Sequence, residues 1–416
     1  MKVVFATGIY PPDIGGPATY VERLAGEMTK AGEEVVVITY GENEKLKMKN
    51  EKWTVVRVSK WGGPLLRWRR YAKALKKHGH DADIVYAFSS VSCGIPLFLA
   101  RLKKPKKILR LGGDFLWERY TDRGGRLDLR AWYASSPKLR PVMQKILSGF
   151  DHIVFSTQFQ EELYKEHYPQ LPQHSVIENA VPEALVHTHS VHDPLQLLFM
   201  GRFVAFKNLP VLLQAIARMR DARLTIVGRG PCALQLTKLV KQFDLEGRVI
   251  FVAPVHGEEK EKVFAGHDVL VIPSLTEISP NVALEARAHG LPVLLTKETG
   301  LSAALTNGMV LRDLSSVDHV VTALQDIHAR YPQYAQVAAT PSDKHRGWKD
   351  VCNDHLLLFH SLFSGSYSGS RGIVPFCNGS RGHFGTCCRN LENTGIVLIS
   401  FAPVCHIHLK TTDQEP

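Results

Sequence analysis

The sequence predicts an α/β protein of two domains, each a parallel β-sheet covered on both faces by helices. Three observations predict it. Short apolar runs alternate with segments of helical period from the first residue, the pattern of parallel strands joined by crossover helices. The alternation breaks once, in a stretch rich in His, Pro and polar residues, and then restarts. At 416 residues the chain is also too long for one ordinary core.

The first domain, residues 1–181, opens on the strand "KVVFAT", a Gly/Pro-rich loop and the helix "ATYVERLAGEMTKAG", which stops on Gly32. The runs "EVVVITY", "ADIVYAF", "KKILRL" and "DHIVFS" read as further strands. "PEALVHTHSVHDP", residues 182–194, is the linker. The second domain, residues 195–345, restarts at "LQLLFMG" and alternates through "RLTIVG", "RVIFVAP", "DVLVIP" and "PVLLT". A helix over residues 346–363 ends the regular pattern. The remainder, 364–416, is rich in Gly and Ser and lacks periodicity, so an irregular, disordered tail is expected. It carries Cys377, Cys387, Cys388 and Cys405, at spacings that match no standard zinc finger.

Composition narrows the function. A hydrophobic share of 44% with 22% charged residues is that of a soluble globular chain. Lys and Arg number 51 against 40 Asp and Glu, and the net +11 favours anionic partners. Eight basic residues and no acidic one lie between Arg57 and Lys77, interleaved with Trp61, Leu65, Leu66, Trp68 and Tyr71. A second acid-free cluster runs from Arg101 to Arg110. The first suits either a solvated helix face or an amphipathic segment on anionic lipid. No nucleic-acid module is present, and none is expected as a partner. "MKVVFATG" is too short an apolar run for a signal peptide, and nothing approaches the ~20 residues needed to span a bilayer. A cytoplasmic protein, peripheral on the inner membrane face, is the expectation. Two cysteines in the first 350 residues form no disulfide framework.

Four motifs carry chemistry. In "PSLTEISPNVALEARAHGLPV", Ser279 and Pro280 signal a helix start and Gly290 with Pro292 its stop, predicting a helix from Pro280 to His289. The amides of Asn281 and Val282 then form an anion site at its first turn. Glu285 leans back toward them, and Glu277 lies just outside the same end. Carboxylates suit vicinal hydroxyls and amides suit phosphate, so a nucleoside diphosphate sugar would satisfy the set; two surface glutamates beside a turn is the plain alternative. In "GRFVAFKN", Arg202 and Lys207 follow a strand, where a fork donor and a point charge suit a diphosphate. "VGRGPCA" matches the dinucleotide pattern GxGxxA but lacks the acidic residue expected ~20 positions on, so Gly228 and Gly230 read as a tight turn against a nucleotide. In "GIYPPDIGGPATY", Gly15 and Gly16 allow close approach of backbone to a ligand. His256, His267 and His289 read as structural.

Together these motifs, with "YPPDIGGPATYV" and "VIENAVP" around Asn179, resemble glycosyltransferase family 4, of the GT-B fold: two Rossmann-like βαβ domains facing across a cleft. The likeness spans Met1 to Phe363. It implies a retaining, metal-independent hexosyl transfer from a nucleotide sugar to a hydroxyl acceptor, lipid-linked or polysaccharide, in cell-envelope glycan synthesis. No cofactor is implied beyond the nucleotide sugar as substrate. The resemblance puts Arg202 and Lys207 on the diphosphate and Glu277 near the anomeric carbon. It puts Glu285 on the ribose, and Ile278, Ser279, Pro280, Asn281 and Val282 on sugar hydroxyls and phosphate. Gly15 and Gly16 approach the phosphate from the other domain. The sequence departs from the family where a histidine is usual in "RLGGDFLWERY"; Asp114 there is the expected sugar or acceptor contact. Ile278-Ser279 replaces a usual glycine-phenylalanine, and Asn208 a frequent glycine. A nucleotide-sugar epimerase on the same fold, or a non-catalytic binding protein, are the competing readings.

Overall fold

The computed structural model describes residues 1–13, 15–41, 52–184, 189–340, 346–364, 396–401 and 404–409. Met1–Tyr367 form one compact unit and Ser368–Pro416 another. In the first unit, strands β1 (Lys2–Thr7), β2 (Glu34–Tyr40), β3 (Thr54–Val58), β4 (Ile84–Ala87), β5 (Lys106–Leu111), β6 (His152–Phe155) and β7 (Gln173–Val176) make a sheet of order 3-2-1-4-5-6-7. All its pairs are parallel. The sheet is covered on both faces, which is why its strands read as unbroken apolar runs. Along β1 and β2 the two-residue period sends Val4, Ala6 and Ile38 to one core and Val3, Phe5 and Val37 to the other.

Strands β8 (Leu195–Met200), β9 (Ala222–Val227), β10 (Val249–Val252), β11 (Val269–Ile272), β12 (Val293–Thr296) and β13 (Val310–Arg312) form the second sheet, order 10-9-8-11-12-13. It too is parallel throughout. In each sheet the order reverses beside the first strand, between β1 and β4 and between β8 and β11. A crevice opens at the carboxyl ends of the strands at such a reversal.

The lobes share an apolar seam. Phe206 and Ile278 of the second lobe belong to the same buried cluster as Trp117, Leu129 and Phe159 of the first. The rings of Phe206 and Trp117 lie 5.2 Å apart, and the Leu129 amide donates to Thr276 Oγ1 at 2.9 Å. The last helix of this unit, Trp348–Ser364, lies against the first lobe: Val351, Cys352, Leu358 and Phe359 join Tyr20, Val21 and Leu24 of the helix Gly16–Lys30.

Most of the expected irregular tail, with Cys377, Cys387 and Cys388, falls outside the described residues. Within it, β14 (Ile396–Phe401) and β15 (Val404–Leu409) pair antiparallel.

Candidate active site

A cavity of about 650 Å³ lies at the two reversal points. The first lobe contributes Gly8 and Ile9 after β1, Phe88 to Ser92 after β4, and Arg110 to Gly113 at the end of β5; the second contributes Arg202, Ser279 and Asn281. Gly16 meets it at the start of the first helix, with Gly15 just before it. Gly15 has φ +153°, and a Cβ there would strike Ile9 at 2.7 Å, so the position favours glycine. Arg202 of the second lobe passes beside this glycine, its Cδ 3.7 Å from where a Cβ would stand.

Arg202 reaches across to the first lobe, its Nη2 lying 3.8 Å from Glu118 Oε2. Burial raises the Glu118 carboxyl above its ordinary value, partly countered by the Arg202 charge. Three residues on, Ala205–Lys207 form one 3₁₀ turn ended by Asn208 at φ +54°. Asn tolerates that left-handed conformation, which accounts for the amide residue where glycine is frequent in the family. The turn delivers Lys207 Nζ to Glu277 Oε1 at 2.5 Å, and Ser274 Oγ donates to the same oxygen at 2.5 Å. Glu277 is 5% exposed.

A third group joins the lobes. Asn179 Nδ2 donates to Ser279 Oγ at 2.9 Å and to Asn281 Oδ1 at 2.6 Å, while Asn179 Oδ1 accepts from Arg110 Nη2 at 2.8 Å. The helix itself covers Asn281–Ala288, one residue shorter than expected at each end. Pro280 is the residue that precedes it, in extended backbone, and the Ser279 hydroxyl binds Asn179 rather than capping the helix.

Several expectations change. Glu285 and Glu277 pair with different lysines: Glu285 Oε2 accepts from Lys260 Nζ at 2.5 Å, on the helix Glu258–Ala265, and Glu277 from Lys207. Arg202, Lys207 and Glu285 therefore hold three separate ionic partners, and neither Lys207 nor the two glutamates line the cavity. Asp114 turns into the protein instead of toward a sugar. It is 2% exposed, caps the helix Phe115–Asp122 through the Trp117 amide, and accepts from Tyr133 and Tyr164 at 2.6 and 2.8 Å. Gly228 is required by the fold: a Cβ there would lie 2.0 Å from the Gly201 carbonyl oxygen, so the ends of β8 and β9 need it. Ile278 is buried in the interlobe seam, and Val282 is partly buried in the second lobe's core.

Sequence reasoning missed Arg110, Glu118 and Ser274 as members of this region. Arg110 sat inside a noted basic cluster, but its burial depends on the last helix and on Asn179, far along the chain. Among the described residues no group of three or more His, Cys, Asp or Glu is placed to hold a metal ion.

Comparison with known proteins agrees with this geometry. Residues 14–185 match the model for Glycosyltransferase Family 4, and residues 194–330 that for Glycosyl transferases group 1. An uncharacterized glycosyltransferase of Methanocaldococcus jannaschii is 28% identical over 331 residues, 72% of this chain and 82% of that protein. Sucrose-phosphate synthase of Thermosynechococcus elongatus superposes with a TM-score of 0.72 at 18% identity, over 88% of this chain and all of that one. HepE of Anabaena, solved with UDP-glucose, gives 0.67 at 15%, over 87% of this chain and all of that one. Two parallel 3-2-1-4-5-type sheets facing across a cleft, with both halves matched by family models, make this chain a GT-B glycosyltransferase of the family 4 type.

Proposed function

We propose that the protein transfers a hexosyl group from a nucleoside diphosphate sugar to an acceptor hydroxyl, retaining the anomeric configuration and using no metal. The observation that supports this most is the cationic edge of the second lobe: Arg202 facing the cavity and Lys207 one turn behind it, both on the loop after β8 at the reversal point. As the glycosidic bond breaks, negative charge grows on the departing diphosphate. A guanidinium and an ammonium held by the fold stabilise that charge without reorganising, an effect of ~10²–10³ in rate per donor group. Glu277 is the carboxylate that holds Lys207 in position before the donor arrives. A donor phosphate would take over Lys207, leaving Glu277 with Ser274 beside the sugar.

The acceptor enters from the first lobe, where the helix Pro64–Gly79 carries the basic and aromatic residues noted in the sequence. Trp61 and Leu65 are 77% and 73% exposed next to Arg67, Arg69 and Arg70. This supports a lipid-linked or polysaccharide acceptor met at an anionic membrane face, in envelope glycan synthesis. No described helix is long and apolar enough to cross a membrane.

The test is a screen of the purified chain against a nucleotide-sugar panel with membrane extract as acceptor. Release of nucleoside diphosphate with a new glycoside of unchanged anomeric form, insensitive to EDTA, is expected. Isomerised free nucleotide sugar would indicate an epimerase, and no turnover together with no nucleotide binding would leave a binding protein.

A further inference from the structure

The first-lobe half of the cavity carries charge that the donor does not use. It is lined by the cations Lys60, Arg67, Arg110 and Arg119, with Arg202 facing them from the second lobe, against the single carboxylate Glu118. Three of the cations have partners: Lys60 lies 3.1 Å from Asp13, Arg119 3.5 Å from Asp122, and Arg202 3.8 Å from Glu118. Among the described residues, Arg67 and Arg110 have no carboxylate within ion-pair distance.

Arg110 is the more telling of the two. It is 4% exposed, and its guanidinium sits 3.9 Å over the Tyr20 ring. Its Nη2 donates to the Ile177 carbonyl and to Asn179, the Tyr86 hydroxyl interacts with the guanidinium, and Nη1 is buried with no partner at full hydrogen-bond geometry among the described residues. The groups around it are neutral. Burial holds His355 down to about 3 and pushes Tyr20 up to about 12, and Tyr86 also rises, so none supplies a counter-charge. A buried guanidinium with an unused donor is costly to a fold unless something brings the missing anion.

We propose that this end of the cavity binds the acceptor through a phosphate ester, held by Arg110 at the end of β5 and Arg67 in the first turn of the helix Pro64–Gly79. The assignment rests on the transferase reading, because it divides the cavity into a donor half and an acceptor half. Both arginines belong to the first lobe, whereas the donor's cations Arg202 and Lys207 belong to the second. A guanidinium fork matches two oxygens of a phosphate. With two such forks, and the Ser89, Ser90 and Ser92 residues lining the same wall, a tetrahedral dianion uses the donors more fully than a carboxylate does. The ester could be a soluble phosphorylated sugar or polyol, or the headgroup of a lipid phosphate whose chain lies along exposed Leu65 and Trp61.

Isothermal titration of the full chain tests this. UDP, GDP and ADP are titrated first, which examines the donor reading by itself. Glycerol 3-phosphate, dodecyl phosphate and glycerol are then titrated into the chain saturated with whichever nucleotide binds, or into the bare chain if none does. Saturable binding of at least one phosphate, absent for glycerol, is expected. R67Q and R110Q should each weaken it at least tenfold, and R67Q should leave nucleotide affinity within twofold. Preference for dodecyl phosphate would identify a lipid source, and equal binding a soluble one. Since R110Q removes a buried group, R67Q carries the test if R110Q does not fold. Absence of phosphate binding, binding unaffected by R67Q, or an equal loss of nucleotide affinity would overturn the assignment.

Discussion

Replacing Lys207 by alanine should do two separable things. Glu277 is 5% exposed and would keep only the Ser274 hydroxyl, 2.5 Å away, as a side-chain partner. Breaking a buried ion pair by removing one member typically costs about 3–5 kcal/mol, because a charge is left buried without its partner. K207A should therefore lose about that much stability, a change readable as a shift in the chemical denaturation midpoint followed by tryptophan fluorescence. The double variant K207M/E277Q removes both charges while keeping the volume, and should return to within about 1 kcal/mol of the parent. The resulting coupling energy should be at least about 2 kcal/mol, within the range found for residues in direct contact. Turnover behaves differently: both variants should fall ~10²–10³-fold, since neither offers a cation to the departing diphosphate. A K207A protein within 1 kcal/mol of the parent, with no coupling in the cycle, would refute the ion-pair reasoning even if activity were lost.

Other consequences are simpler to state. Gly228→Ala should cost more than about 3 kcal/mol, since strain at φ +144° adds to a clash with the Gly201 carbonyl; Gly247→Ala, with open space around the added methyl, should stay within about 0.5. A stable G228A chain would show that β8 and β9 can part. Ile278→Ala should lose about 2–5 kcal/mol by emptying the interlobe seam, and an unchanged midpoint would mean the seam contributes little. His355 is held down to about 3 by burial first and by Arg110 second, against an ordinary value near 6.5. Between those values the unfolded chain binds a proton that the folded chain refuses, so stability falls as pH falls. The slope from this one group is about 1.4 kcal/mol per pH unit, and H355Q should remove it between pH 6 and 5. Identical slopes in parent and variant would contradict the buried-neutral assignment.

The fold was legible because it depends on local periodicity. Unbroken Val- and Ile-rich runs separated by helical segments leave few alternatives to parallel sheets, and the loops after β1 and β8 announced themselves by glycines and cations. The pairings inside the site were not legible, because they join residues far apart in the chain. Lys207 meets Glu277 across 70 positions, and Asp114 meets Tyr164 across 50. Nothing near Asp114 in the sequence announces two tyrosine hydroxyls waiting for it. Ile278 is instructive in the other direction. For this apolar residue between a carboxylate and a helix start the resemblance implies a contact with sugar hydroxyls and phosphate, whereas burial against the other lobe is the ordinary fate of such a side chain. Glu285 was placed correctly on its helix, but the lysine that claims it sits on a neighbouring helix whose approach spacing does not disclose.

The closing helix, Trp348–Ser364, has a bearing on how the chain is made. The groove it fills on the first lobe, lined by Tyr20, Val21 and Tyr86, is completed by residues translated after the whole of the second lobe. During synthesis the first lobe therefore has its whole sheet, β1 to β7, before the second lobe begins, yet it waits with an apolar groove uncovered until the closing helix is made. Cutting the chain at the linker would not yield two self-sufficient halves. The amino-terminal fragment would expose that groove to aggregation, and supplying the helix as a separate peptide would be the natural way to quench it.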